Sequence, residues 1–221
     1  MSDAAIHIGE QHWGTQTDFR ARRLVRFVKI VDEVIARKGH CRIVDLGGNI
    51  EYWRDLEAVW SGRSVSFVLI NLMSQRLDDQ RFESRVGDCT DMAEFADNSF
   101  DVVHSNSVLE HVGRWQAMRA MAREVRRLAP RYFVQTPDFW FPLEPHFRVP
   151  FFHWLPEPVR LALVMRFDCG AFPRAATLDD AQRYIEDSVL IDRKRMSALF
   201  PDASISSERV FGLSKSLIAI R

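Results

Sequence analysis

Asp45, Gly47, Gly48 and Asn49 close the apolar run Ile43-Val44-Asp45-Leu46, and that order of residue types has a physical meaning. A β-branched run that breaks into acid, glycine, glycine reads as a buried strand, followed by a turn whose backbone can approach a ligand closely. Further along, Glu110-His111 follows a second apolar run, Phe100-Asp101-Val102-Val103-His104, while Glu144, His146 and His153 lie in a stretch rich in proline and aromatic residues. Carboxylates and histidines of near-neutral pKa suit proton transfer. His146, just beyond Pro145, is the first candidate for a catalytic base, with His111 and Glu110 as the others; His104 is expected to pack at its strand end.

These residues need a scaffold, and the pattern of apolar positions supplies one. Phe19, Leu24, Phe27, Val28, Val31, Val34 and Ile35 recur at helical spacing and Gly39 stands where a helix stops, which predicts an amphipathic helix over about 17–38. Tyr52 to Trp60 reads as a helix, Val65 to Leu72 and Arg81 to Val86 as strands, and Phe100 to His104 as another. Trp115, Met118, Met121, Val125 and Leu128 mark a helix that Pro130 ends, and Tyr132 to Gln135 is a fifth strand. A helix over Arg193 to Phe200 precedes two runs, Ser204 to Phe211 and Ser214 to Ile220, whose tight connection at Gly212 favours an antiparallel terminal pair. Alternating strands and helices predict a mostly parallel α/β sheet with helices on both faces, in a single domain over 1–221.

The segment over about 137–172 departs from that alternation. Pro137, Pro142, Pro145, Pro150, Pro156 and Pro158 interleave with Phe139, Trp140, Phe141, Phe147, Phe151, Phe152 and Trp154. The prolines forbid a long regular element until Pro158, which suits the first turn of a helix over Val159 to Phe167. Loops after the carboxyl ends of parallel strands overlie the ligand crevice, so the segment is read as a lid; a satellite core or a homodimer contact are the alternatives.

Composition excludes several classes. The 221 residues carry 30 basic and 30 acidic side chains, so no global positive field recruits nucleic acid. The three cysteines, Cys41, Cys89 and Cys169, have no close Cys/His spacing suited to a metal and read as reduced thiols. The chain opens Ser2-Asp3-Ala4 with no basic region before an apolar run, and no stretch reaches membrane-spanning length, so a cytoplasmic protein without stable membrane insertion is expected.

Taken in order, the motifs resemble the class I S-adenosylmethionine-dependent methyltransferases, in particular the small-molecule enzymes with a seven-stranded Rossmann-like sheet. The resemblance rests on Ile43 to Gly48, on Val68-Leu69-Ile70-Asn71, on Gly87-Asp88-Cys89, and on Asn98 to Val103 leading through Ser105 to Leu109-Glu110-His111-Val112. Leu199-Phe200-Pro201-Asp202-Ala203 adds to it. It implies S-adenosylmethionine as cofactor. Asp45 would sit near its methionine part, Gly47 and Gly48 would pack beneath the amino and carboxylate groups, and Asn71 would face the ribose. Asp88 would accept from the adenine amine, the Cys89 amide would face a ring nitrogen, and Ser105 would floor the methionyl group.

Two positions depart from the family pattern. Asn49 and Glu51 stand where the second and third glycines of the turn usually fall; Asn49 tolerates left-handed backbone, and Glu51 must point outward or cap the next helix. Asn71 offers one carbonyl acceptor where the family usually has a carboxylate. Gly-x-Gly-x-x-Gly is absent, which argues against a nicotinamide dehydrogenase. Some related O-methyltransferases carry Glu-x-x-Glu-His near the fourth strand; here Ser107 takes the first acid's place, and no metal is expected. The resulting expectation is methyl transfer to oxygen or nitrogen of a small molecule. A catalytically inactive cofactor-binding partner and an enzyme for a lipid-linked or glycosidic acceptor are the alternatives.

Overall fold

The computed structural model describes residues 14–221, so the reading of Ser2 to Ala4 lies outside the described residues. The chain divides into two compact units, one of residues 21–141 with 187–221, the other of residues 142–186 with the chain up to Arg20.

In the larger unit, β1 (Cys41–Leu46), β2 (Val65–Asn71), β3 (Phe82–Val86), β4 (Val102–Asn106), β5 (Arg131–Pro137), β6 (Ser204–Val210) and β7 (Leu213–Ile220) form one sheet in the order β3-β2-β1-β4-β5-β7-β6. β1 to β5 pair parallel, and β7 runs antiparallel to both β5 and β6. Strands covered on both faces carry apolar residues on successive positions, as Ile43-Val44 of β1, Phe67 to Ile70 of β2, Val102-Val103 of β4 and Tyr132 to Val134 of β5 do here. Ile43, Phe67, Leu69 and Phe133 pack against α1 (Gly14–Lys38), α2 (Ile50–Asp55) and α3 (Glu57–Trp60). Val44, Leu46, Val68, Ile70 and Tyr132 face α4 (Trp115–Leu128) and α7 (Arg193–Leu199) on the other side. This is the expected Rossmann-like sheet with helices on both faces.

Three local expectations change. The single helix over Tyr52 to Trp60 is two, because Leu56 leaves helical backbone (φ −111°, ψ 15°). That break lets Trp53 and Trp60 both turn inward, with Trp60 Nε1 donating to Trp53 O at 2.7 Å. β4 runs two residues later than the apolar run. Phe100 packs in the core without joining the ladder, while polar Ser105 and Asn106 continue pairing with Val134 and Gln135.

The third change lies in the smaller unit. Its helices are α5 (Glu157–Val164) and α6 (Leu178–Glu186), and α6 has no counterpart in the sequence reading. Its signal was Thr177-x-x-Asp180: Asp180 N donates to Thr177 Oγ1 at 3.1 Å, and Thr177 Oγ1 donates to Asp180 Oδ2 at 2.8 Å, a reciprocal cap. Phe147, Phe152, Val164, Phe172, Tyr184 and Ile185 form this unit's own core, with Phe147 stacked on Phe152 at 4.1 Å. Phe147, Phe152 and Phe172 of the aromatic segment are therefore satellite core. The first five residues of the expected 137–172 insertion belong to the sheet unit.

Candidate functional site

The chain enters the glycine turn straight from β1. Gly47 has φ +75°, and a Cβ there would press on the Val108 side chain, 2.7 Å from Cγ1. Only glycine meets both conditions. Gly48 is restricted differently: a Cβ on it would lie 2.6 Å from Asp45 Oδ2. Asn49 does not take left-handed backbone; it is extended (φ −124°, ψ 133°) and caps α2, accepting from Glu51 N at 2.9 Å. Glu51 points outward and pairs with Arg54 at 2.9 Å.

Beside this turn lies a cavity of about 360 Å³, lined by Gly47, Ile70, Asn71, Leu72, Gly87, Asp88, Cys89, Ser107, Val108, His111 and Val112. It opens where β1, β2, β3 and β4 end, the edge at which open α/β sheets bind ligands. Its volume falls in the range of small-molecule sites. Gly47, Asn71, Asp88, Cys89 and His111 of the expected site residues line it; Asp45, Gly48, Asn49, Ser105 and Glu110 do not.

The walls explain these placements. Asn71 Oδ1 accepts from Leu72 N at 2.8 Å and Nδ2 donates to Gly48 O at 3.2 Å, so the amide ties the end of β2 to the glycine turn. Gln75, which no sequence signal singled out, reinforces that tie. Its Nε2 donates to Gly48 O at 2.7 Å and its Oε1 accepts from Ile50 N at 2.8 Å. Asp88 Oδ1 closes a turn by accepting from Thr90 N and Oγ1, each at 2.8 Å. Burial pushes the Cys89 thiol up to about 12, with the Asp88 charge adding to it, so it stays protonated at neutral pH.

Ser105 is buried and donates to Leu46 O at 3.1 Å. Ser107, the first residue beyond the end of β4, lines the cavity instead. Ser107 has φ 55° and donates through Oγ to Gln135 Oε1 at 3.0 Å.

Glu110 and His111 share one 3-10 turn, Leu109–His111, and point to different partners. Glu110 is fully buried; Oε2 accepts from Thr136 Oγ1 at 2.9 Å, and Oε1 has no hydrogen-bond partner among the described residues. His111 Nδ1 donates to Asp187 O at 2.9 Å and lies 3.4 Å from Asp187 Oδ2. Burial pulls its pKa down, but the hydrogen bond to Asp187 and the charges of Glu110 and Asp187 outweigh it and raise the pKa to about 9. At neutral pH the ring is an imidazolium that donates.

Because the folded pKa exceeds the ordinary 6.5, the stability from His111 is complete below about pH 6.5 and is lost as pH rises through about 9. An NMR titration should show the His111 ring charged well above pH 7, and Asp187→Asn should bring its midpoint back toward the ordinary value. A midpoint near the ordinary value in the unaltered chain would contradict this assignment.

Behind the turn, Asp45 is buried and occupied on both oxygens. Oδ1 meets His104 Nδ1 at 2.7 Å and Oδ2 accepts from Trp53 Nε1 at 2.8 Å. His104 packs as expected, edge-on to Phe27 at 4.8 Å and stacked on Phe133 at 6.0 Å. A second polar network starts from Arg23 on α1, which is buried. It donates bidentately to Glu208, from Nε at 3.0 Å and Nη2 at 2.7 Å, and Nη1 donates to Gln135 Oε1 at 2.7 Å and to Asn106 Oδ1. Ser107 shares Gln135 Oε1 with it, so α1 braces a cavity residue.

His146 belongs to the smaller unit. Its Nδ1 meets Glu144 Oε1 at 2.8 Å, and its backbone N donates to Glu144 Oε2 at 2.7 Å. A buried carboxylate thus fixes the imidazole, in the manner of a carboxylate–histidine pair.

Residues 46–130 match the family model described as a methyltransferase domain. The fold is similar to the CMeT domain of the citrinin polyketide synthase, at 11% identity and TM-score 0.52, covering 92% of this chain and 54% of that one. It is also similar to the carbon methyltransferase CurJ, at 12% identity and TM-score 0.51, covering 82% of this chain and 48% of that one. This chain spans about half the length of either. A structure from Haloferax volcanii, a complex of the Trm112 methyltransferase activator with a methyltransferase, aligns at 14% identity and TM-score 0.48 over 92% of this chain and 93% of that one. No curated protein matches the sequence. The fold is a Rossmann-like sheet, and the match to the methyltransferase-domain model covers β2 to β4 within it.

Proposed function

We propose that this methyltransferase domain takes S-adenosylmethionine into the cavity beside the Gly47 turn and passes its methyl group to oxygen or nitrogen of a small molecule. The observation that carries the reading is the cavity itself: about 360 Å³, at the carboxyl ends of β1 to β4, walled by a turn that excludes any side chain at Gly47. When bound, the cofactor supplies an electrophilic methyl on a sulfonium, so the protein's task is to position the acceptor.

Gly47 and Gly48 leave room for the amino-acid end, and Asp45 anchors the turn from behind through His104 and Trp53. Asp88 accepts from the adenine amine and the Cys89 backbone amide faces a ring nitrogen. Ser107 takes the floor position expected of Ser105. His111, held as imidazolium, orients an acceptor by donating to it, and the buried Glu110 behind it sustains that charge.

Calorimetry with S-adenosylmethionine and S-adenosylhomocysteine tests the donor site; failure to bind either overturns the reading. Asn71→Asp should tighten binding. The carboxylate keeps the bond from Leu72 N and offers a charged acceptor to the ribose, while Gln75 still holds Gly48 O. A charged acceptor is worth about 1 kcal/mol over a neutral one, roughly fivefold in Kd. Unchanged or weaker binding would remove Asn71 from the ribose site.

A binding partner without catalysis is the second reading, favoured by Asn71, whose amide is already engaged within the protein. Donor binding without methylated product, across hydroxyl and amine acceptors, would select it.

A further inference from the structure

The 142–186 unit buries its inner aromatics and leaves an unusual outer face. Phe151, Trp154, Val159, Met165 and Phe167, within 17 residues of chain, are each 40% to 55% exposed. Monomeric soluble proteins rarely leave so many large apolar groups together without use. The exposure is built in. Phe151 sits in left-handed backbone at φ 62° and Arg148 at φ 53°, both strained for such side chains. The loop is pinned by Phe151 N donating to Pro142 O at 2.6 Å and Arg148 N donating to Glu144 O at 2.9 Å. Held this way, the Phe151 ring lies 5.2 Å from Trp154, while the adjacent Phe152 points into the core.

The charges around these rings are of one kind. Arg148, Arg160 and Arg166 form no ion pair and no side-chain hydrogen bond among the described residues, whereas Arg23, Arg54, Arg63, Arg81 and Arg127 in the other unit are all paired. Only Glu157 opposes them between residues 148 and 167. On α5, Val159 and Ala162 face solvent on one side while Val164 faces the core. Arg160 is partly buried: its Nε has no hydrogen-bond partner among the described residues, and the charges of Glu157 and Glu144 act on it.

We propose that this face docks peripherally on an anionic phospholipid bilayer, with Phe151 and Trp154 entering the headgroup boundary and the exposed Arg148 and Arg166 meeting lipid phosphates. Exposed aromatics flanked by unpaired arginines have the chemistry of interfacial anchors. A second copy suits the face poorly, because a two-fold contact would set the same unpaired arginines against one another. The proposal uses none of the residues assigned to the methyl donor, so the two readings are tested separately.

The test is sedimentation of the full chain with phosphatidylcholine vesicles, with and without phosphatidylglycerol. Binding is expected only with the anionic lipid. Arg148→Gln and Arg166→Gln should each weaken it about fivefold. Phe151→Asn with Trp154→Gln should weaken it about tenfold or more, and asparagine keeps the left-handed backbone accessible. Phe152 is left in place because it is core. Circular dichroism and unchanged S-adenosylhomocysteine binding would show the variants folded. No association by the intact chain, or equal association by the aromatic variant, overturns the proposal. So does a concentration-dependent dimer that the same variants dissolve without any binding to vesicles.

Discussion

Replacing Arg23 by methionine should lower stability by about 3–5 kcal/mol, the usual cost of stranding one partner of a buried ion pair. Arg23 and Glu208 are only 7% and 11% exposed, and Glu208 also accepts from Ser216 Oγ, so the carboxylate is left poorly hydrated once the guanidinium is gone. For a chain of this length that corresponds to a melting temperature lower by roughly 10 °C. The double variant Arg23→Met with Glu208→Gln should recover a large part of the loss, since no charge is then left buried and unpaired. A shift below about 2 °C for the single variant would mean that the pair is solvated in solution. The same variant frees Gln135 and with it Ser107, so donor affinity should fall in Arg23→Met and stay low in the stabilised double variant. Recovery of affinity together with stability would show that Arg23 acts on the fold alone.

Gly47→Ala should cost about a hundredfold in affinity for S-adenosylhomocysteine while the chain remains folded. Two penalties coincide at this residue. A side chain at φ +75° is strained, and the new Cβ would collide with Val108, which lines the same cavity. Together they amount to about 2–3 kcal/mol, enough to displace the turn from its tie to the end of β2. Val108→Ala in the same chain removes the colliding methyls and leaves the backbone strain, so it should restore part of the affinity. Calorimetry on the single and double variants measures the coupling directly. If Val108→Ala restores nothing, steric closure is not the reason for glycine here. Gly48→Ala should act through Asp45, whose carboxylate would have to leave Trp53 and His104.

Much of the fold was legible because its signals are local. The runs Ile43 to Leu46 and Val65 to Asn71 could only be buried parallel strands, the 3.6-residue period from Leu24 to Ile35 could only be a helix against them, and Gly212 fixed the terminal hairpin. What failed was phase and extent. β4 was placed two residues early because Phe100 looks like the start of a strand, although it packs into the core from outside the ladder. α6 is short, and its signals, the Thr177–Asp180 cap and the helical spacing of Leu178, Ala181, Tyr184 and Ile185, follow directly on the irregular proline-rich segment.

The site divides along the same line. Sequence alone determined the glycine turn and the succession of strands along the chain that carry Asn71 and Asp88, because residue type and spacing set backbone conformation within a few positions. Tertiary structure decided the use of each side chain. It took Asp45 out of the cavity and gave it to His104 and Trp53, 59 and 8 residues away. It turned Asn71 and Gln75 into struts for Gly48 O, and it charged His111 through Asp187, 76 residues on. Hydrogen bonds and fields depend on distance in space, and the sheet brings together residues that the sequence keeps far apart. The turn was written in the chain, but its partners were chosen by the fold.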